Sequence, residues 1–274
     1  MEAVELKDLL LKALVASIRA GEVILRVYDC ENHQIDLKED QSPVTLADRR
    51  SHSVISDILA ETGWPVLSEE AAEIPYHIRK DWSCFWLIDP LDGTKEFIKR
   101  NGEFTVNIAL VQNRAPVLGI VYTPVKRLLF FGLKQTGSYR MVLPDNKEFP
   151  SHPEEWIRSA SRLPVAGRGK KMKVVASRSH MSPETLEYIE HLNQKYGDVK
   201  MVSRGSSMKI CMVAEGEAQI YPRLGPTMEW DTAAGQAIAE AAGCSMTQYG
   251  SGDPVVYNKE DLLNPWFVVK SKEM

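Results

Sequence analysis

Long apolar runs are missing from this 274-residue chain: no stretch approaches the roughly 18 residues needed to span a bilayer, which argues against an integral membrane segment. Cysteine is scarce as well. Cys30, Cys84, Cys211 and Cys244 lie far apart and none stands in a Cys-x-x-Cys pair, so neither a zinc knuckle nor a thioredoxin-like site is expected. Free, mostly buried thiols fit a reducing cytoplasm. The segment Met1-Glu2-Ala3-Val4-Glu5 is acidic where a secretory signal would be basic. There is no Lys/Arg block and no basic tail, and 33 Lys plus Arg against 37 Asp plus Glu leave a formal charge of −4. Sequence-independent duplex binding relies on many phosphate-neutralising cations, so nucleic acid is not an expected partner. A small anionic substrate stays open. Internal repeats and low-complexity tracts are also absent.

What is present is ample core material, 44% hydrophobic residues, over a length that suggests about two domains at roughly 150 residues each. Glu5, Asp8, Lys12, Arg19, Glu22 and Arg26 form one wet stripe among Leu, Val, Ile and Ala, which predicts a long helix whose dry face covers the protein's own core. A second helix is predicted from Thr45 to about Thr62, where Thr45 and Asp48 have the spacing of an N-terminal cap and Gly63 stops the run. From Trp64 the pattern changes to short apolar runs: Pro65 to Leu67, Phe85 to Ile88, Phe104 to Val111, Val117 to Tyr122 and Leu128 to Leu133. Short turns at Asn113 to Pro116 and Thr123 to Lys126 predict antiparallel pairing with helices over one face.

Residues 144–170 are rich in Pro, Gly, Ser and charge and form the best candidate for a boundary. The expected division is an N-terminal α+β domain over 1–145 and a C-terminal α/β domain over 146–274. In the latter, strands at Lys173 to Ala176, Val199 to Val202 and Ala218 to Tyr221 alternate with helices from Ser182-Pro183, Ser206 and Trp230.

The chemistry-bearing residues sit at element ends. Asp89 and Asp92 flank Pro90, which cannot continue a strand ladder, and precede Gly93, which permits a tight turn, so both carboxylates can converge. Isolated Asp-Pro turns are ordinarily solvated; two aspartates after Trp86-Leu87-Ile88 and before Thr94 point to a metal site instead. The ligands on offer are oxygens from Glu69, Asp89, Asp92, Asp231 and the Leu91 carbonyl. An oxygen-only set selects Mg²⁺ or Mn²⁺ over Zn²⁺, and four carboxylates beside a phosphate substrate leave room for two or more ions. Taken alone, Asp231 would be an ordinary helix cap and Asp48 an ordinary first-turn acid. Gly93-Thr94 and Gly205-Ser206-Ser207 place small residues at helix starts, where backbone N–H groups can meet a phosphate.

Other phosphotransfer schemes lack their residues. No Cys is followed six positions later by Arg, and no Gly-x4-Gly-Lys-Ser/Thr loop exists. The Asp89/Asp92 spacing of three, rather than two, suits two metal ligands and leaves water as the nucleophile.

Two of these stretches, Asp89 to Thr94 (Asp-Pro-Leu-Asp-Gly-Thr) and Trp230 to Gly235 (Trp-Asp-x-x-Ala-Gly), resemble the signatures of the Mg²⁺-dependent, lithium-sensitive inositol monophosphatase superfamily. Within it the chain looks most like the CysQ-type 3'(2'),5'-bisphosphate nucleotidases, through Ser42 to Thr45, Pro65 to Glu70, Trp86 to Val111, Ser177 to His180 and Gly205 to Asp231. The likeness spans nearly the whole chain apart from residues 141–170 and the last dozen.

The resemblance implies an α+β fold, a layered αβαβα sandwich with its active site between two domains, and hydrolysis of 3'-phosphoadenosine 5'-phosphate to AMP and phosphate, as in the recycling of that by-product of sulfate assimilation. Carried over by position, Glu69, Asp89, the Leu91 carbonyl, Asp92 and Asp231 match the metal ligands for two or three Mg²⁺ ions, with Mn²⁺ a substitute. Asp48 and Thr94 match the water-activating pair. Glu69, Asp92, Gly93, Thr94, Lys95, Ser177, His180, Gly205, Lys209 and Asp231 match substrate-binding positions, with Arg178 and Arg223 nearby as further cations. Lys95 favours the nucleotidase branch. A sibling phosphatase for inositol or sugar phosphates and a non-catalytic phosphate-sensing module remain as alternatives, separable by their substrates and by retention of the metal acids. Oligomeric state, monomer or homodimer, stays open. The expected location is the cytoplasm, with a peripheral association at the inner face of the plasma membrane allowed by the resemblance but unsupported by any polybasic cluster.

Overall fold

The computed structural model describes residues 3–30, 35–37, 43–144, 149–165, 171–176, 181–272 and 274. The first helix, α1 (Ala3–Tyr28), buries Leu6, Leu10, Ala13, Leu14 and Ile24 on the face opposite its charged stripe. After a two-stranded ribbon of β1 (Ile35–Leu37) and β2 (Pro43–Thr45) comes α2 (Leu46–Ala60). Thr45 caps α2: its hydroxyl accepts the Ala47 N–H at 3.1 Å, and its own N–H donates to Asp48 Oδ2 at 2.7 Å. The helix ends two residues short of Thr62, just ahead of Gly63, whose φ of +75° a side chain would oppose.

The next elements are β3 (Val66–Ser68), α3 (Tyr76–Arg79), β4 (Cys84–Asp92), α4 (Thr94–Ile98), β5 (Thr105–Gln112), β6 (Ala115–Thr123), β7 (Leu128–Leu133), β8 (Gly137–Val142), α5 (Pro153–Ser159) and β9 (Ser161–Arg162). Strands β3 to β9 make one seven-stranded sheet in sequence order, antiparallel except for the parallel β3–β4 pair. Residues 153–162, beyond the expected 145/146 division, pack with this sheet: β9 pairs with β8, and Trp156 of α5 is fully buried in the core shared with α1.

The expectation that helices cover one face of this sheet needs correction. Along β4, Cys84, Trp86 and Ile88 face the core with α1 and α2, whereas Phe85 and Leu87 face a second core built with the helices Met208–Ala214 and Glu229–Ala241. The same split separates Val106, Ile108 and Leu110 from Ala109 and Val111 on β5. Strands covered on both sides lose the apolar/polar alternation of a half-wet sheet and read as continuous apolar runs.

The remaining elements are β10 (Lys173–Val175), α6 (Pro183–Tyr196), β11 (Lys200–Val202), α7 (Met208–Ala214), β12 (Ile220–Arg223), α8 (Glu229–Ala241), β13 (Ser245–Gln248) and β14 (Phe267–Lys270). They form a five-stranded sheet in the order β11-β10-β12-β14-β13. The alternating segment supplies its parallel strands, and β14 and β13 close it antiparallel. Three separate hydrophobic cores therefore divide five layers: α1 and α2, the large sheet, α7 and α8, the small sheet, and α6. This is the αβαβα arrangement.

Helix α8 lies against the large sheet at backbone distance. A Cβ at Gly119 of β6 would stand 2.2 Å from the Ala234 carbonyl oxygen, and one at Gly132 of β7 2.8 Å from Ile238 Cα. That approach brings the start of α8, and Asp231 with it, to the carboxyl ends of β3 and β4. Among the described residues no helix is long and apolar enough to cross a membrane.

Candidate active site

Strands β3 and β4 run parallel with Ser68 opposite Ile88, so the next residues, Glu69 and Asp89, stand side by side at the same end of this pair. Asp231 meets them from the first turn of α8. One carboxylate oxygen each of Glu69, Asp89 and Asp231 lies within 4.8 Å of the others. Asp89 is fully buried, and burial pushes its carboxyl well above the ordinary range; Glu69, Asp92, Asp231 and Asp48 all push the same way. Asp231 is pushed up to about 8 by burial and then by Asp92, against the opposing Met228 N–H, which donates to its Oδ2 at 2.8 Å. An all-oxygen cluster whose members raise one another fits a hard divalent cation, which would relieve the repulsion.

The Asp89–Asp92 turn is built differently from the expectation that Pro90 ends the strand. Strand β4 continues to Asp92 through a bulge: Asp89 pairs with Asn107 and Asp92 with Thr105, so three steps on β4 match two on β5. The extra residue accommodates Pro90 and bends the strand. The Leu91 N–H donates to Asp89 Oδ1 at 3.0 Å, and Leu91 itself is buried. Asp92 Oδ2 accepts the Ser207 N–H at 2.6 Å, and Ser207 Oγ lies 2.7 Å from it. The N-terminal N–H of α7 at Ser207, a proposed phosphate socket, is thus taken by a carboxylate. Asn107 Nδ2 donates to Ser207 Oγ at 2.8 Å and ties the large sheet to the start of α7 at this point.

Asp48 uses its two oxygens for different partners. Oδ2 accepts the Thr45 N–H and, at 2.5 Å, the Thr45 hydroxyl; Oδ1 accepts the Thr94 hydroxyl at 3.2 Å. Burial raises its pKa, opposed by the Thr45 bonds. Thr94 opens α4 directly after Gly93, whose φ of +97° bends the chain back from β4.

Beside the carboxylates lies a cleft of about 300 Å³ lined by Asp92, Gly93, Gly205, Lys209, Arg223 and Asp231, among others. Gly205 is needed there for close approach, because a Cβ would fall 2.6 Å from the Glu103 carbonyl oxygen. Lys209 Nζ donates to the Ser206 carbonyl at 2.9 Å; burial pushes its ammonium pKa down and Asp92 opposes the shift. Lys95 is exposed on α4 and is not among the lining residues. Ser177, Arg178 and His180 lie outside the described residues.

Sequence reasoning missed Ser51 and His52 of α2. Ser51 Oγ donates to the Pro90 carbonyl at 2.7 Å, and His52 Nδ1 lies 2.9 Å from Ser68 Oγ. The readable signal was polar residues at i, i+3 and i+4 from Asp48 on a helix face that continues with Ile55 and Leu59.

The fold and this carboxylate arrangement define the class. The model of the inositol monophosphatase family matches residues 6–272, and the chain belongs to that family. The acidic cluster is compatible with the Mg²⁺ dependence general to it. Among curated proteins, the 3'(2'),5'-bisphosphate nucleotidase CysQ of Escherichia coli (strain K12) is 44% identical over 254 residues, 91% of this chain and 94% of the relative. The CysQ of Haemophilus influenzae is 32% identical, covering 96% and 93%. A solved CysQ from Bacteroides thetaiotaomicron shares 50% identity and a TM-score of 0.88 over 97% of this chain and 98% of that one. The inositol monophosphatase of Anabaena, at 24% identity and TM-score 0.69, covering 97% of this chain and 92% of that one, shares the fold.

Proposed function

We propose that the chain is a 3'(2'),5'-bisphosphate nucleotidase that hydrolyses 3'-phosphoadenosine 5'-phosphate to AMP and phosphate in the cytoplasm, recycling a by-product of sulfate assimilation. The observation that carries this reading is the convergence of Glu69, Asp89 and Asp231 beside a cleft lined by the cations Lys209 and Arg223, with Lys99 and Arg204 also on its wall. Similarity to the CysQ relatives supports the choice of a nucleotide over an inositol phosphate.

Glu69, Asp89, the Leu91 carbonyl, Asp92 and Asp231 are the groups that would hold two or three Mg²⁺ ions, with Mn²⁺ a substitute. Such ions, when bound, lower the pKa of a water and offset the charge of the transferring phosphoryl group. Thr94 donates its hydroxyl proton to Asp48 Oδ1, which leaves the Thr94 oxygen turned to accept a hydrogen bond from the attacking water. Burial makes Asp48 more basic than a solvated aspartate and suits it to take up the proton released as the water attacks. Lys209 and Arg223 hold the distal 5'-phosphate, with Ser177 and His180 assigned to the nucleotide by resemblance. Gly205 keeps the wall of the cleft thin.

The test is phosphate release from 3'-phosphoadenosine 5'-phosphate with and without Mg²⁺. Turnover that requires Mg²⁺ and is suppressed by Li⁺ is expected; full turnover in excess chelator contradicts the reading.

A further inference from the structure

Helix α2 touches the candidate site in three places, and the proposed reaction uses one of them. Asp48, Ser51 and His52 stand at i, i+3 and i+4 and share a face; Asp48 and Ser51 are fully buried and His52 is half-buried. Ser51 Oγ reaches the Pro90 carbonyl, 39 residues away, inside the bulge that carries Asp89 and Asp92. A buried helical serine commonly bonds a carbonyl one turn back in its own helix. Ser51 bonds the metal-ligand turn instead.

His52 acts on the other arm. Its Nδ1 lies 2.9 Å from Ser68 Oγ, which also accepts the Glu70 N–H at 3.2 Å. A serine hydroxyl carries one proton and two lone pairs, so Ser68 Oγ accepts from Glu70 and still has a hydrogen bond to make with His52 Nδ1 in either direction. Ser68 ends β3, a three-residue strand at the edge of the sheet, paired on one side alone. The Glu69 N–H also donates to the Ile88 carbonyl at 3.2 Å, so the bonds at Ser68 and at the Glu69 backbone together set the direction in which Glu69 leaves the strand.

We propose that Ser51 and His52 are positioning residues of the metal site, which set the separation between Glu69 on one arm and the Asp89–Asp92 turn on the other. The inference rests on the reading of this cluster as a Mg²⁺ site. Neither side chain is placed to touch substrate; Ser51 acts through the Pro90 carbonyl and His52 through Ser68. Partners that orient metal ligands typically change metal affinity roughly 10- to 100-fold when removed.

The test is calorimetric titration of Mg²⁺ into the wild-type chain and the Ser51→Ala, His52→Phe and His52→Asn variants without substrate. The melting temperature in chelator is measured alongside. Ser51→Ala and His52→Phe should raise the Mg²⁺ Kd about tenfold or more, whereas His52→Asn, whose amide oxygen can stand where Nδ1 stood, should stay within about threefold of wild type. The Mg²⁺ concentration giving half-maximal phosphate release should rise in parallel. A merely structural role would lower the melting temperature in chelator and leave Kd unchanged; unchanged Kd in Ser51→Ala and His52→Phe overturns the proposal. Should His52→Phe fail to fold, Ser51→Ala, which deletes one oxygen, decides on its own. A wild-type chain that binds no Mg²⁺ overturns the metal reading together with this inference, and is distinguished from the inference alone failing by the wild-type titration.

Discussion

Asp48 Oδ2 closes the cap of α2 while Oδ1 receives the Thr94 hydroxyl, so the capping acid and the proposed water-activating acid are one side chain seen from its two ends. The cap was legible in the spacing of Thr45 and Asp48 and the water-activating role only in the family resemblance; which oxygen does what was in neither, because Thr94 arrives from 46 residues away. Asp48→Asn keeps a capping acceptor, so stability should fall by at most about 1 kcal/mol. If Asp48 also orients Thr94 and the water, kcat should fall by roughly 10² to 10⁴ with little change in KM. Thr94→Ala should lower kcat similarly, and the double variant should be scarcely worse than either single one, since the pair acts as a unit. A kcat for Asp48→Asn within about threefold of wild type would return the residue to capping alone. Lys209→Ala should raise KM for the bisphosphate much more than for a 2'- or 3'-monophosphate, which has no distal phosphate to lose. Equal effects on the two substrates would remove Lys209 from that role.

At the scale of elements, the sequence was most legible where a signal is local. The Thr45 cap, the runs of β4 to β7 and the Ser182 cap of α6 all depend on neighbours within a turn or a short strand. Less legible were elements whose reason lies elsewhere in the chain. Strand β8 carries Ser138 and Arg140 and owes its place to pairing with β7, and the Ser245–Gln248 strand has no apolar run of its own. The bulge at Pro90 was hidden because a proline in a strand run reads as its end, whereas one extra residue on β4 lets the ladder resume at Asp92. Contact between α8 and the large sheet likewise has no sequence pattern beyond two glycines. Gly119→Ala would drive a methyl into the Ala234 carbonyl, and overpacking of this kind costs about 1–3 kcal/mol. Its denaturant midpoint should therefore fall, with a loss of Mg²⁺ affinity as α8 and Asp231 move away. A midpoint equal to wild type would show that the helix can shift without penalty.

Across the whole molecule, the carboxylate cluster links stability to pH and to metal. Asp231, raised to about 8, and Asp89, raised in the same direction, bind protons in the folded chain over a range where the unfolded chain has already released them. The contribution of Asp231 to metal-free stability is fully present below the ordinary carboxylate value of 3.8 and is lost as pH rises through about 8, and that of Asp89 is lost in the same direction. Melting temperature in chelator should therefore fall between neutral pH and pH 9, and saturating Mg²⁺ should reduce that fall by compensating the charges. A Mg²⁺-induced stabilisation that does not grow over this range would contradict the picture of an ion held by these acids.

On the proposed reading, this phosphatase site is matched to a nucleotide carrying two phosphates. Metals and fold are common to the family, so discrimination has to come from the cleft side chains, Lys209 and Arg223 foremost. The most direct measurement is kcat/KM for phosphate release from 3'-phosphoadenosine 5'-phosphate and from inositol 1-phosphate, on one preparation at one Mg²⁺ concentration. A charge-assisted contact to the distal phosphate is worth about 1.5–3 kcal/mol, so the bisphosphate should be preferred by at least roughly tenfold. Equal values, or a preference for inositol 1-phosphate, would contradict the account.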